Sequence, residues 1–222
     1  MMASQSGSFR FAFIFITLLF LIQPLSADSP LTSTPLYKAY LDIPQVKSAN
    51  QTKKISFELA EYLASPSSGL DNKIAVINAL SWGENARDNA QLFASYLSLK
   101  YQTPLKKIEP GSMDPEDLLV LAYMLALSDY FKPERSMKLI EMAQSRLSSS
   151  FTANLVLTLN RAQAMMDTDF CGVYSVGESL FQDKTLKRDI RPGAVTIVQE
   201  YLQLYKTDCN TLEPKPVQST QL

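Results

Sequence analysis

Histidine is absent from the 222-residue sequence. That removes Ser-His-Asp and Cys-His nucleophile sets, imidazole-ligated zinc and the imidazole proton shuttle. Glycine is scarce: 7 residues, about 3% of the chain against a usual ~7%. They stand singly at 7, 69, 83, 111, 172, 177 and 193. No two of them form G-x-G and none sets up a P-loop, so both phosphate-cradling fingerprints are missing. Few glycines also means few of the tight turns that many short strands demand. Neither sign of charge is in excess, with 21 basic and 22 acidic residues and a formal net charge of −1. No general preference for nucleic acid or an anionic membrane follows from such a balance.

What is present begins with positions 1–27, which have the layout of a secretory signal peptide. Arg10 is followed by the apolar run Phe11–Ile22, then Gln23 and Pro24, and Leu25-Ser26-Ala27 offers a small residue at the cut before Asp28. The run is shorter than the ~20 residues a membrane span needs. No membrane association is expected once it is removed. About 195 residues remain, enough for one domain that buries ~70% of the surface its unfolded chain exposes. The longest apolar run among them, Leu118–Leu127, suits a core helix. Export makes the two cysteines meaningful: Cys171 and Cys209 form the one possible pair, and an oxidising compartment, periplasmic or extracellular, favours joining them.

Residues 28–36 are rich in Pro, Ser and Thr and suggest a mobile leader. Residues 210–222 suggest a disordered tail. Between them, residues 37–209 show helical periodicity and no strand alternation, a single all-α domain. Ile55, Leu59, Tyr62 and Leu63 share one face. Asp71 is placed to cap a helix carrying Ile74, Ile77 and Leu80. Ala86, Ala90, Phe93, Ala94 and Leu97 mark a small-residue stripe that lets a neighbouring helix approach closely. Asp114-Pro115-Glu116-Asp117 is the clearest start signal, with a capping carboxylate, Pro at the first helical position and acids in the first turn. Further helices start near Pro133, at Ser149 or Ser150, and at Pro192. The sum is seven to nine helices in antiparallel hairpins, a compact bundle or a short α-solenoid, with one disulfide.

Residues 117–150 resemble a single tetratricopeptide-type hairpin. With Ala143 at the second-helix alanine, Val120, Tyr123, Met124, Leu127, Ser136 and Ile140 fall on the other signature positions. The resemblance implies a scaffold that binds protein or peptide. The stretch from Cys171 through Tyr174 and Gly177, followed by a basic loop and a helix ending Tyr201-Leu202, is similar to a pattern in the Tai-type immunity proteins. Those are small exported helical inhibitors of cell-wall amidase toxins, and the likeness implies that residues 171–191 project to plug a partner.

Four local groupings bear on chemistry. Residues 167–178 resemble an EF-hand calcium loop, with Asp167, Asp169 and Glu178 at oxygen-ligand positions and Gly172 at the turn. Cys171 occupies a ligand position there, and sulfur is a poor partner for calcium. Lys184, Lys187, Arg188 and Arg191 form a basic stretch able to receive an acidic partner. Glu84 and Asp88 beside Trp82 suggest the carboxylate pair of a cell-wall sugar hydrolase, although acids in a helix's first turn and a core Trp explain the same residues. The methionines at 113, 124, 137, 142, 165 and 166 suit an adaptable groove or ordinary packing. No catalytic set, no cofactor motif and no metal cluster stands out. The reading that follows is an exported module that binds a protein or peptide on a helical-hairpin surface, with the immunity-type inhibitor and the hydrolase as alternatives.

Overall fold

A computed structural model describes residues 29–212. The segment read as a signal peptide, and the tail beyond residue 212, lie outside the described residues. Within them are nine α-helices. They are α1 (Pro44–Thr52), α2 (Phe57–Leu63), α3 (Leu70–Leu80), α4 (Ala86–Lys100), α5 (Pro115–Ser128), α6 (Glu134–Arg146), α7 (Phe151–Met165), α8 (Phe170–Gln182) and α9 (Pro192–Gln203). Short 3-10 segments cover Leu36–Tyr40, Leu105–Lys107, Pro110–Ser112 and Leu204–Leu212. The one β feature among the described residues is an isolated parallel bridge between Ser150 and Lys187.

Local chemistry sets the helix starts. Asp114 caps α5 by accepting from the amides of Glu116 (2.9 Å) and Asp117 (3.4 Å). Ser150 accepts from the Ala153 amide at the start of α7 (3.1 Å), and Ser56 does the same for Leu59 in α2 (3.2 Å). Each satisfies an amide that a helix end leaves without an internal partner. Pro192 opens α9 as expected. Asp71 is not the cap of α3. Gly69 holds that position and Asp71 sits in the first turn, where the helix dipole still favours its charge.

Helices α3, α5, α7 and α9 point the same way, and α4, α6 and α8 run back between them. Lys73 at the start of α3 meets Glu116 at the start of α5, and Asn78 further along α3 meets Tyr123 of α5. Asp189, just before α9, accepts from the Thr152 amide at the start of α7 (3.0 Å). One pole of the molecule therefore gathers four helix N-termini and the opposite pole their C-termini. Most of α5 is buried, as its all-apolar sequence requires. The small-residue stripe of α4 faces inward against α5: Ala86, Ala90, Phe93 and Leu97 are buried.

The row of hairpins closes on itself, and the wedge that closes it is the segment expected to be mobile. Leu31, Thr34 and Leu36 are fully buried. Residues 29–40 pack between α3 and α9. Asn78 holds them from one side, bonding the Tyr37 amide and the Thr34 carbonyl. On the other side the Arg191 amide donates to the Tyr40 hydroxyl (2.9 Å), and its guanidinium to the Ala39 carbonyl (2.9 Å). Prolines and hydroxyls made this stretch look like a linker, but Leu31, Leu36 and Tyr40 supply the apolar payload that docks it. At the other terminus, Asn210–Leu212 continue the last 3-10 segment and are not tail.

Cys171 and Cys209 form the expected disulfide, joining the first turn of α8 to the last 3-10 segment. With a sequence separation of 38 between the partners, chain entropy predicts a contribution of about 4 kcal/mol, an upper figure. The double substitution Cys171→Ser/Cys209→Ser should lower the guanidinium midpoint by an amount worth roughly 2–4 kcal/mol. An unchanged midpoint would show that the bridge does not constrain the unfolded chain.

Candidate functional site

The basic stretch of the sequence lies at the pole of helix N-termini. Its Lys187, Arg188 and Arg191 border a cleft of about 640 Å³ together with residues 66–71 and Glu116, and Lys184 lies outside that lining. The structure separates its four cations into two kinds. Arg188 stacks on the Phe151 ring (4.3 Å to the centroid) and donates to the carbonyls of Phe181 and Asp183. Arg191 stacks on Tyr40 (4.5 Å) and forks onto Asp42. The guanidinium of Arg191 holds the Asp42 carboxyl below its ordinary range, and Asp42 in turn raises Arg191. Both arginines are spent on holding the 183–191 segment to the fold. Lys184 and Lys187 are exposed.

That segment does not project. Ile190 is buried, and the backbone of Lys187 pairs with Ser149 and Phe151. The acids around the cleft are equally engaged. Glu116 pairs with the buried Lys73 (2.6 Å), Asp71 accepts from the Tyr40 hydroxyl (3.0 Å), and Asp189 accepts from the amide and hydroxyl of Thr152 (3.0 and 3.1 Å). Asp71, Glu116 and Asp189 also lie beside helix N-termini, where negative charge is stabilised. The cleft is thus a set of closed polar contacts that fasten four helix starts together.

The calcium-loop expectation does not survive. Residues 170–182 are helix α8, and Asp169 is its cap, accepting from the Gly172 amide at 2.7 Å. Asp169 and Glu178 are nine residues apart along that helix, roughly 13 Å at its rise, far beyond the span of one ion's ligand shell. Glu178 bonds Gln182 one turn on (2.5 Å), and no group of three or more potential metal ligands occurs among the described residues. Gly177 is buried with its Cα against Leu202 of α9, where a β-carbon would come within 2.6 Å of the Leu202 side chain.

The Trp82 group is also rearranged. Glu84 precedes α4 instead of lying in its first turn, and it and Asp88 are exposed. Trp82 is no core residue: it is 46% exposed. The methionines do pack: Met113 and Met124 are buried and Met137, Met142, Met165 and Met166 lie against the core.

The surface that remains unsatisfied is apolar and lies on α2 and α4. Leu92, Tyr96 and Leu99 recur at i, i+4 and i+7 on the outer side of α4. Phe57, at the start of α2, sets its ring edge-on to Tyr96 with centroids 5.5 Å apart. Phe57 is 64% exposed, Leu92 54% and Leu99 71%. Between the helices runs a groove of about 210 Å³ lined by Ile55, Phe57, Ala60, Leu92, Tyr96 and Leu99. No acid or base lines it. The inner stripe of α4 was legible in the sequence, while Arg87, Asp88, Gln91, Ser95 and Ser98 give the other side a polar look. The second stripe was there to be found, because 92, 96 and 99 repeat at helical spacing.

No protein-family model matches the chain, and neither do curated proteins or solved structures.

Proposed function

We propose that the protein is an exported interaction module that binds a partner protein through the α2–α4 face, acting by binding and not by catalysis. The observation that carries the reading is the row of exposed Phe57, Leu92 and Leu99 around the half-buried Tyr96. A contiguous apolar face on the order of a few hundred Å² is the usual mark of a contact surface. Its i, i+4, i+7 spacing beside a shallow groove suits an amphipathic helix of the partner, laid in with its own apolar side down. Export is supported by the signal-like N-terminal sequence and the disulfide, and among the described residues no helix is long and apolar enough to cross a membrane. The hydrolase alternative draws no support from the polar cleft, whose carboxylates are already engaged.

The test is co-purification from the native host, quantified by mass spectrometry, with Leu92→Glu/Leu99→Glu as the comparison. Both positions are exposed, so the melting temperature should stay within a degree or two of wild type. The partner should be lost by at least about tenfold, since two charges now face an apolar surface. Equal recovery of the same proteins by the variant would overturn the reading.

A further inference from the structure

Helix α4 has three working sides. Ala86, Phe93 and Leu97 are buried in the core, and Leu92, Tyr96 and Leu99 border the groove with α2. The third side carries Arg87, Gln91 and Ala94 at i, i+4 and i+7. It borders another groove, of about 440 Å³, between α4, α5 and the start of α6. The facing wall is Leu121, Leu125 and Ser128 of α5, at the same spacing.

The two walls run antiparallel, and their sequences change polarity in opposite senses. Along the chain α4 goes from Arg87 and Gln91 to Ala94, while α5 goes from Leu121 and Leu125 to Ser128. Antiparallel packing superposes the two gradients. The groove is therefore polar at the pole of helix C-termini, where Asp129 and Arg135 join its lining. It is apolar at the other end, where Leu105 joins Ala94 and Leu121. The Leu105 amide donates to the Ser98 hydroxyl (3.1 Å), which sets Leu105 one turn beyond Ala94. Leu125, midway along, is left 36% exposed.

The polar end has one positive charge in excess. Asp129 is the one acid in the lining, and Arg135 pairs with it at 2.7 Å. Arg87 is exposed, and neither its guanidinium nor the Gln91 side-chain amide has a hydrogen-bond or ion-pair partner among the described residues. A guanidinium takes a carboxylate through two parallel bonds. Asp129 disfavours a second negative charge on the same ligand. At the apolar end the side chains of Ala94, Leu105 and Leu121 offer only hydrocarbon. A concave, mostly apolar site with its few polar groups gathered in one place is the usual form of a small-molecule site.

We propose that this groove binds a medium-chain carboxylate. The head is held by Arg87 and Gln91, and the acyl chain lies along Leu125 toward Leu105 and Leu121. The seven residues from Arg87 to Ala94 span roughly 10 Å, which matches a chain of about eight carbons. The site uses a different side of α4 from Leu92, Tyr96 and Leu99, so it does not depend on the partner-binding reading.

The test is calorimetric titration of the exported protein with sodium octanoate below its micellar range, with methyl NMR at Leu105, Leu121 and Leu125. Saturable binding that shifts those methyl groups is expected. Affinity should rise from butanoate through hexanoate to octanoate, by up to roughly fourfold per methylene. Octyltrimethylammonium has the same chain and the opposite charge, and should bind at least about tenfold more weakly. Arg87→Glu changes an exposed position, so its melting temperature should match wild type while octanoate binding weakens by about tenfold or more. Gln91→Glu, also exposed, should act in the same direction. Unshifted methyl groups at millimolar octanoate overturn the proposal, as does equal octanoate affinity in Arg87→Glu. Equal affinity for octyltrimethylammonium overturns the role of the head. Equal affinity for butanoate and octanoate overturns the placement of the chain, and with either result the proposal falls.

Discussion

Asn78→Leu is expected to lower the free energy of unfolding by about 3–9 kcal/mol, from three buried or part-buried polar groups losing their partner at about 1–3 each. The side chain of Asn78 is almost wholly inside. Its carbonyl accepts from the Tyr37 amide (3.1 Å), and its amide donates to the Thr34 carbonyl (3.1 Å) and the Tyr123 hydroxyl (3.1 Å). Leu has nearly the same shape and none of these bonds, so packing is kept while the three groups are orphaned. The loss reaches beyond α3. Asn78 is the clamp on the 29–40 wedge, and that wedge joins α3 to α9 and closes the row of hairpins. The measurement is a guanidinium melt with hydrogen exchange at the Tyr37 amide. Both should respond, the amide by losing protection even in the folded state. A shift worth less than about 1 kcal/mol would mean that water replaces the amide and that the wedge is held by its apolar side chains alone.

The same residue shows where sequence reading stops. Helices with a stripe and a cap were legible: Asp114-Pro115 before α5, Ser150 before α7 and Pro192 at α9 all mark starts that the structure keeps. The all-apolar run of α5 placed the centre of the core. Helix α1 was not legible, because Pro44–Thr52 buries only Val46 and Ala49 and shows no stripe. Helix α8 was hidden by Gly172 and Gly177, which cost helix propensity, although Gly177 admits Leu202. Asn78 is a single polar residue within the otherwise apolar stretch 74–80 of α3. Its worth depends on Thr34 and Tyr37 arriving from 41 or more positions away, and no local pattern encodes that meeting. The basic stretch poses the same difficulty. The basic residues were identified, but Arg188 and Arg191 find their ring partners, Phe151 and Tyr40, only through tertiary contact.

Parallel helices also explain the polar pole. Four N-termini gathered together concentrate partial positive charge, and Asp71, Glu116, Asp117 and Asp189 answer it. Two lysines then complete the balance from α3 and α4. Lys73 reaches Glu116, while Lys100 and the Tyr101 hydroxyl both bond the buried Asp117 at 2.7 Å. Tyr101 relays onward by accepting from the Asp114 amide at 2.9 Å, so the cap of α5 and the end of α4 share one network. Such a network is satisfied at neutral pH and depends on its phenol remaining protonated.

That dependence sets the second large expected effect, alkaline unfolding. Burial pushes the Tyr123 hydroxyl up to about 12. Burial first, then the bond to Asp117, pushes Tyr101 up to about 12. Tyr40 is raised as well, by burial against the counter-effect of the Arg191 amide and with Asp71 adding to it. In the unfolded chain each phenol titrates near 10. A group with its pKa raised on folding stabilises the fold fully below the unfolded value, and the contribution disappears as pH climbs through the folded one. Stability should therefore be level from about pH 7 to 9 and fall steeply from about 10 to 12. Tyr123, which is wholly buried, accounts for a loss on the order of 3 kcal/mol by itself at the top of that window. The check is a series of guanidinium midpoints across the window, taken promptly so that the disulfide survives. Ultraviolet titration of the phenols in the native protein should show a group that ionises only as the helix signal collapses. If the midpoints stay flat to about pH 11.5, or if every phenol ionises near 10 in the folded state, the buried hydroxyls of Tyr40, Tyr101 and Tyr123 are not held as described.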